Sequence, residues 1–404
     1  MSQPDNAMTL ETFLTQYPWP GELKKFGKPL EGFWVCQLKS SPEKFWPYIS
    51  DVNVFNQLVG LDEMKLTEKN GKVFGTAKTA GFHMAWEEKP WEWEYGKAMV
   101  IDRRYTRGFL KVNRVIYYME PTADNRCNFY VYLGLVPTGF FTRQLTKLVL
   151  SQLKDRFLKA LHTMDAYVQK QQKIVLSGKK IRLSPQGEVR LGEIQKELAK
   201  VGINPNLIQK ITSYVRTTPD EDLDRIRLKT LAREWNVSEK ILLEAFLQST
   251  RMGLLKLTWD VICPHCRGVR EEVTNLAHLP KRGRCDVCNV DFDATSFNAL
   301  EVVFHLHPSI RVVEKKLYCS AEPAKKAHIK LQKTLEPGKE LSLKTFLGLG
   351  RYRLRLGGMD VYNLLDVEEN AELSELLWID GLSAQNIKVS NFPTVILRNT
   401  SPEP

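Results

Sequence analysis

The sequence has no long apolar run and no leader pattern at its N-terminus. Its 404 residues are 43% hydrophobic, which is ordinary for a globular protein. No stretch approaches the about 20 apolar residues that a membrane-spanning helix needs. The first residues, Met-Ser-Gln-Pro-Asp-Asn, are polar and lack the charged-then-apolar order of a signal peptide. These absences argue against a membrane-spanning or exported protein, and the length leaves room for roughly two to four domains.

The short motifs of the common enzyme classes are also missing. There is no Gly-Lys-Ser phosphate loop, no nucleophile elbow and no His-Glu-x-x-His pair. We therefore predict that this chain contains no catalytic site of its own.

Cysteine is scarce, but four of the seven cysteines are regularly spaced. Cys263, Cys266, Cys285 and Cys288 form a C-x2-C-x18-C-x2-C pattern, and two such knuckles can place four thiolates in one tetrahedron. We predict a structural zinc ion, because four protein ligands leave no open position for water or substrate. His265 lies inside the first knuckle and could replace one cysteine as a ligand, but with four cysteines available we expect it to be a bystander. Iron in place of zinc stays open. The reduced thiols predict a cytoplasmic location.

The net charge of +11 is unevenly distributed. Residues 1–180 carry 26 Lys and Arg against 18 Asp and Glu, and the excess lies mostly within 101–180. Residues 261–300 carry 5 of each sign. A basic face in 101–180 would suit phosphate, a membrane surface or an acidic partner, and a solvated helix face is an equal alternative.

Strands and one long helix dominate residues 1–175. A strand ends near Gln37, and Ser41 followed by Pro42 predicts the start of a short helix. Apolar and polar residues alternate over 81–89, 91–97, 107–120 and 126–136, and apolar residues recur at helical spacing over 140–172. This order predicts a helix-grip domain, in which an antiparallel sheet curls around a long closing helix.

The Ser-Pro-Glu-Lys-Phe-Trp segment at 41–46, followed by Ser50-Asp51 and the closing helix, resembles the START-like, or SRPBCC, family of lipid- and polyketide-binding domains. The resemblance implies a cup that binds an apolar or lipid-like ligand. Its lining would come from alternate residues of two strands, Phe82, Met84, Trp86, Trp91, Trp93 and Tyr95. The alternative is that these side chains simply fill the cup.

A cyclase-type enzyme using acid–base groups in the cup is a weaker hypothesis. Its candidates would be His83, Glu87, Glu92 and Glu94. Their alternation with the aromatic residues predicts that they face solvent on the opposite side of the sheet.

Four further segments follow the helix-grip domain. We predict a helical linker over 176–222, a winged-helix-like unit over 223–260, a zinc ribbon over 261–298 and an antiparallel β-sandwich over 299–404. The overall class is therefore α+β with several domains. His305 and His307 flank Leu306, and with no third ligand nearby in sequence we predict ordinary sheet residues.

The winged-helix pattern raises the alternative of a nucleic-acid-binding regulator that uses this unit and the zinc ribbon. Its second helix begins Ser-Glu-Lys-Ile-Leu-Leu-Glu at 238–244, which offers two acids, one base and many apolar groups. A recognition helix needs Arg, Lys, Asn or Gln near its N-terminus to reach base edges. The pattern therefore favours a packing surface, and we expect nucleic acid not to be the main partner.

Four segments together resemble the N-terminal, non-catalytic region of certain bacterial class III adenylate/guanylate cyclases. They are Tyr-Pro-Trp-Pro-Gly-Glu-Leu-Lys-Lys-Phe-Gly at 17–27, Cys-Pro-His-Cys-Arg-Gly at 263–268, His-Pro-Ser-Ile-Arg at 307–311 and Gly-Arg-Tyr-Arg-Leu-Arg at 350–355. The resemblance covers nearly the whole chain and implies a regulatory region that controls a downstream cyclase domain.

The catalytic strand that carries the two metal-binding aspartates of such cyclases has no counterpart here. The chain stops just after a predicted strand at 394–399, which we expect of a piece of a longer polypeptide. Its expected function is that of a sensor for an apolar small molecule, with the oligomeric state left open.

Overall fold

The computed structural model describes residues 7–62, 64–69, 72–79, 81–122, 124–172, 174, 183–265, 267–285, 290–313, 323–356, 362–379 and 387–402. They belong to two compact units. The first unit comprises residues 1–176 and 317–404, and the second comprises 177–316. Within the described ranges, no helix is long and apolar enough to cross a membrane.

The N-terminal part of the first unit is one antiparallel sheet with a long helix across it. Its elements are α1 (Leu10–Gln16), α2 (Gly21–Lys24), β1 (Leu30–Leu38), α3 (Pro42–Ile49), α4 (Val52–Val59), β2 (Lys65–Lys69), β3 (Lys72–Thr79), β4 (Phe82–Glu88), β5 (Glu92–Glu94), β6 (Ala98–Arg107), β7 (Leu110–Pro121), β8 (Cys127–Pro137) and α5 (Phe140–Gln169). The strand order is β1-β8-β7-β6-β4-β3-β2, with β5 paired to β6. Because α5 packs against β1 and β8, this is the helix-grip arrangement that the sequence predicts.

Both faces of this sheet are covered. On the concave face, Trp34 of β1 and Phe129 of β8 share one apolar core with Phe157 of α5. On the convex face, Phe13 of α1 lies against Tyr130 and neighbouring aromatic residues. The central strands therefore bury side chains on both sides, which removes the polar–apolar alternation of a half-exposed strand.

A buried carboxylate fixes the long helix to the turn after β1. Asp165 of α5 accepts hydrogen bonds from the backbone amides of Lys39, at 2.9 Å, and Ser40, at 3.1 Å. The Ser40 hydroxyl donates a third bond to it, at 2.5 Å. Since Asp165 is 5% exposed, its charge depends on these donors for stabilisation.

The second unit combines helices with short strands. Its elements are α6 (Pro185–Lys200), α7 (Pro205–Thr217), α8 (Asp220–Leu223), α9 (Leu228–Trp235), α10 (Glu239–Arg251), β9 (Leu255–Ile262), β10 (Val269–Val273), β11 (Arg282–Cys285), β12 (Val290–Asp293) and β13 (Leu300–Leu306). One sheet has the order β10-β9-β13, and β11 pairs with β12. The helices and this sheet share an apolar core, which includes Leu242 and Phe304.

Two expectations for residues after 299 differ from the structure. Residues 300–306 lie in the range that we assigned to the C-terminal sandwich, yet they form strand β13, which pairs along its whole length with β9. The apolar residues from Ile310 onward favour a strand over 310–319 in sequence, but the described residues 310–313 form a turn and irregular backbone, so that expectation is wrong there. Ile310 is buried in the core of the second unit, so its apolar character reflects that packing.

The C-terminal part of the first unit contains small sheets. Its strands are β14 (Leu331–Gln332), β15 (Glu340–Lys344), β16 (Gly350–Arg355), β17 (Tyr362–Val367), β18 (Glu375–Ile379), β19 (Ile387–Val389) and β20 (Thr394–Arg398). Sheets β15-β20-β18 and β16-β17-β19 contribute to one apolar cluster, which includes Leu365 and Val395. The expected purely antiparallel pairing is wrong, because β17–β19 and β18–β20 are parallel.

Residues 329–334, which we call the closing segment, join this C-terminal part to the large sheet. Strand β14 within it pairs with β5. The indole of Trp93 donates to the carbonyl of Ile329 at 3.2 Å, and the amide of Tyr95 donates to the carbonyl of Lys330 at 2.8 Å. The side chain of Gln332 donates to the carbonyl of Trp91 at 2.7 Å. The edge of β5 is thus hydrogen-bonded rather than open.

Candidate functional site

The six side chains expected to line the cup fall into three environments. Trp91 and Trp93 are fully buried in the core beneath α5. Met84 and Trp86 belong to a separate apolar cluster nearer the end of the sheet. The other two are less buried. Tyr95 packs on Trp46 and lies under the ammonium group of Lys330. Phe82 is 47% exposed and contacts Phe109.

Three polar residues lie opposite one another on neighbouring strands of the concave face. Glu88 of β4 is paired with Arg103 of β6, and Arg103 is paired with Asn113 of β7. Directly paired residues project from the same face of a sheet. Their exposed fractions are 7%, 6% and 9%. We call Glu88, Arg103 and Asn113 the polar row.

The first two members form a buried ion pair. The Arg103 Nε lies 3.2 Å from one oxygen of Glu88 and 3.3 Å from the other. The same carboxylate accepts the indole N–H of Trp86 at 2.5 Å and that of Trp91 at 2.6 Å. The guanidinium carbon lies 4.9 Å from the Trp86 ring centroid and 5.7 Å from that of Trp91. The two indoles therefore contact both charges.

Asn113 differs from the other two. Its Oδ1 is buried and accepts no hydrogen bond among the described residues. A buried carbonyl without a donor costs about 1–3 kcal/mol, so such groups call for an explanation. One explanation is an acceptor that awaits a donor from a bound molecule.

Two tyrosines flank the row and stay protonated. Burial raises the pKa of Tyr105 to about 12, and the nearby Arg103 charge only partly opposes this rise. Burial also raises the pKa of Tyr117. Near neutral pH both hydroxyls are therefore neutral, and each has a proton to donate.

The polar row separates two apolar clusters. The inner cluster lies beneath α5 and includes Met99, Ile101 and Tyr117. The outer cluster consists of Met84, Trp86, Phe109, Leu110 and Leu135, with Tyr105 packed against it. The described side chains of these two clusters pack against one another and fill the space between the sheet and α5.

The acid–base candidates of the cyclase-type hypothesis do not reach this row. His83 is exposed, and Glu92 faces the closing segment, where it pairs with Lys333. Glu94 is 5% exposed and lies near Tyr17 on the convex side, because the N-terminal segment covers that face. The solvent position expected for Glu94 is wrong.

Sequence reasoning missed Glu88, although a signal was present. Glu88 continues the alternation of Met84 and Trp86 along β4, so it belongs to the same, inward side. Arg103 carried no comparable signal, because it lies between two other charged residues, Asp102 and Arg104. Asn113 carried none because its neighbours in sequence are buried on both faces.

The first cysteine knuckle has a geometry that suits a thiolate ligand. The backbone amide of His265 lies 3.4 Å from Cys263 Sγ, and the amide of Arg267 donates to the Cys263 carbonyl at 2.9 Å. Cys263 and Cys285 are both fully buried in one small cluster. Cys266 and Cys288 lie outside the described residues, so the zinc ion stays a prediction.

His305 has acidic neighbours that its sequence position did not reveal. Single ligand atoms of Asp260, Glu272 and His305 lie within 4.8 Å of one another. Arg225 pairs with Asp260, and the Thr258 hydroxyl lies 2.7 Å from His305 Nε2. These contacts give Asp260 and His305 each a partner within the protein. His307 is not part of it, since its ring bonds to Ser309.

The exposed face of α10 includes three large apolar side chains beside charged ones. Ile241 is 53% exposed, Leu243 38% and Leu247 47%. A groove-reading helix would present hydrogen-bonding side chains there, so this face gives no support to nucleic-acid recognition.

Comparison with known proteins gives one family and a set of structures. Residues 193–325 match DUF5939, a family of unknown function, which is less than half of the chain. No curated protein matches the chain.

Three of the solved structures to which the chain is similar each match about a third of it. The Zhui aromatase/cyclase from Streptomyces sp. R1128 has 9% identity and a TM-score of 0.30, covering 35% of this chain and 95% of its own. TTHA0849 from Thermus thermophilus has 14% identity and a TM-score of 0.28, and the match covers 36% of this chain and 100% of its own. A START superfamily protein from Mycobacterium smegmatis has 11% identity and a TM-score of 0.27, and the match covers 33% of this chain and 97% of its own. At these scores, the helix-grip description rests on the sheet order and the placement of α5 given above.

Proposed function

We propose that the N-terminal domain binds an amphipathic small molecule at the polar row. The apolar body of the molecule would take the place of outer-cluster side chains, and a hydroxyl or N–H group would donate to Asn113 Oδ1. The observation that carries this proposal is the buried carbonyl of Asn113, which lacks a donor beside a charged pair in an apolar interior. Ligand sites combine apolar walls with a few polar groups in this way.

Binding requires the outer cluster to open, because the cup is packed. Met84 is an unbranched side chain that can refill irregular space, and it lies at the exposed end beside Phe109. The inner cluster is built on large buried rings such as Trp91, Trp93 and Phe129, whose displacement would cost far more. The outer cluster is therefore the proposed entry path.

We further propose that the chain is the regulatory region of a signalling protein whose effector is an adenylate/guanylate cyclase domain outside this sequence. The support is the resemblance of four segments to such regions, together with the closing segment, which hydrogen-bonds the strand carrying Trp93 to the C-terminal part of the chain. A ligand can regulate only if it binds one arrangement more tightly than another. The zinc ion in this proposal is structural and is held by the four knuckle cysteines.

The test uses two buried asparagines on opposite faces of the sheet. Asn113→Leu removes the inward carboxamide. Asn128→Leu is the matched control, since Asn128 is also 9% exposed with a buried, unpartnered Oδ1 but faces the convex side. Small molecules released from the purified full chain are quantified by mass spectrometry.

We expect one compound to copurify with the wild type and with Asn128→Leu, and to fall about tenfold in Asn113→Leu, which corresponds to the loss of one buried hydrogen bond. Absence of any compound from the wild type, or equal amounts in both variants, would contradict the proposal.

A further inference from the structure

One end of the large sheet carries exposed aromatic side chains at the start of α5 and at the start of β4. Phe140 is 71% exposed and Phe141 is 86% exposed at the start of α5, with ring centroids 5.8 Å apart. Phe82 is 47% exposed at the start of β4 and contacts Phe109. The carbonyl of Phe109 accepts the amide of Thr138, just before α5, so these tips lie at one edge. We call Phe82, Phe140 and Phe141 the aromatic rim.

The segments that form this edge contain no carboxylate. Residues 76–86, 104–113 and 138–147 include neither Asp nor Glu. They carry six Lys and Arg residues, namely Lys78, Arg104, Arg107, Lys111, Arg143 and Lys147. Arg104 pairs with Glu22 from another segment. Within the described part of the chain, no acidic side chain pairs with Lys78, Arg107, Lys111 or Lys147.

The start of α5 also lacks acidic residues and carries a cation. Its first turn has no acidic residue and includes Arg143, although the helix dipole favours anions at that position. Phe140 and Phe141 occupy positions where water contacts nearly the whole ring. Neither choice stabilises the isolated fold, so both point to a partner that covers the rings and bears negative charge.

We propose that the aromatic rim and the surrounding cations dock onto an anionic lipid surface. Exposed Phe side chains can enter the boundary between headgroups and acyl chains, and Lys and Arg around them can meet anionic headgroups. A nucleic acid would use the cations but would gain little from three bulky exposed apolar rings. The docking does not depend on ligand binding in the cup, but it would place the outer cluster against the lipid.

Binding is measured by cosedimentation of the full chain with vesicles of phosphatidylcholine containing about 30% phosphatidylglycerol, at about 0.1 M salt. The double variant Phe140→Ser/Phe141→Ser should bind at least about tenfold more weakly, because both inserted rings are lost. The matched control is Phe346→Ser/Phe392→Ser. These rings are 58% and 54% exposed, and their centroids are 5.0 Å apart in the C-terminal part. We expect this control to bind like the wild type.

The electrostatic part has its own pair of variants. Lys111→Glu/Lys147→Glu should weaken binding at least about tenfold, since each cation near an anionic surface contributes about a fivefold effect. Lys200→Glu/Lys240→Glu changes the net charge equally at exposed positions of the second unit and should leave binding unchanged.

Three outcomes would overturn the docking proposal. The wild type would fail to bind anionic vesicles, or the rim variant would bind as well as the rim control. Alternatively, duplex DNA would bind the wild type more tightly than vesicles do, with no effect of Phe140→Ser/Phe141→Ser. The Asn113→Leu variant keeps the aromatic rim intact. A failure of ligand binding in the cup therefore does not change the expected binding to vesicles, and the two proposals can fail independently.

Discussion

The buried pair of Glu88 and Arg103 allows a quantitative test of the polar row. Their side chains are 1% and 8% exposed, so removing either partner leaves the other charge desolvated. Each of Glu88→Gln and Arg103→Met should therefore lower the free energy of unfolding by about 3–5 kcal/mol. Methionine keeps most of the Arg103 stem, which limits the packing loss.

The double variant should be far less destabilised than the sum of the single variants. With both changes no charge is buried, and one indole N–H loses its acceptor, at about 1–3 kcal/mol. The coupling between Glu88 and Arg103 should therefore reach at least about 3 kcal/mol. Urea unfolding followed by tryptophan fluorescence measures it, because Trp86 and Trp91 contact both charges.

An exposed ion pair supplies the control for this cycle. Glu340 and Arg398 are paired on β15 and β20 with side chains 45% and 46% exposed. The same substitutions there should give a coupling below about 1 kcal/mol. If the free energies for Glu88 and Arg103 add within about 0.5 kcal/mol, the description of the polar row as a desolvated unit is wrong.

Three other predictions concern zinc, pH and the anchoring of α5. Cys263→Ser should reduce the zinc content, measured by atomic emission, from about one ion per chain to nearly none. The control Cys127→Ser should keep the wild-type zinc content. Unchanged zinc in Cys263→Ser would refute the ligand assignment. Burial lowers the pKa of His305, so its stabilising contribution is present above about pH 6.5 and is lost as the pH falls. His305→Asn should then lose less stability than the wild type between about pH 7.5 and 5.5 in urea unfolding, and equal losses would contradict this sign. Asp165→Ala should lower the free energy of unfolding by about 3 kcal/mol, because three donors lose their acceptor. The control Asp155→Ala, at an exposed site on the same helix, should lower it by less than about 0.5 kcal/mol. Similar losses in the two variants would contradict the role of Asp165 in fixing α5.

Much of the N-terminal architecture could be predicted from periodicity. The helix expected over 140–172 forms over Phe140–Gln169, and most strands expected there form within a few residues of their expected ends. Strand β6 was missed. Its sequence begins Ala-Met-Val-Ile without alternation, because α1 and its neighbours cover one side and the cup covers the other. A run buried on both faces has no period of two to detect.

The polar row and the pairing of β13 show a different limit. Alternation shows which side of a strand a residue occupies, but it does not identify the neighbouring strand. Glu88 and Arg103 meet only through the register of β4 with β6. Likewise the pattern over 300–306 predicts a strand but does not tell which sheet the strand joins. Only the structure shows that its partner is β9.

The closing segment determines which truncated fragments of the chain should be stable. A fragment ending at residue 176 would retain every helix and strand around the polar row, yet it would discard the backbone that pairs with β5. Its Trp93 indole would lose the Ile329 carbonyl, and a bare strand edge would remain to recruit other chains. Fusing 323–402 back through a short synthetic tether in place of 177–322 would restore that edge, so the excised cup should be recovered as a monomer only in the tethered form.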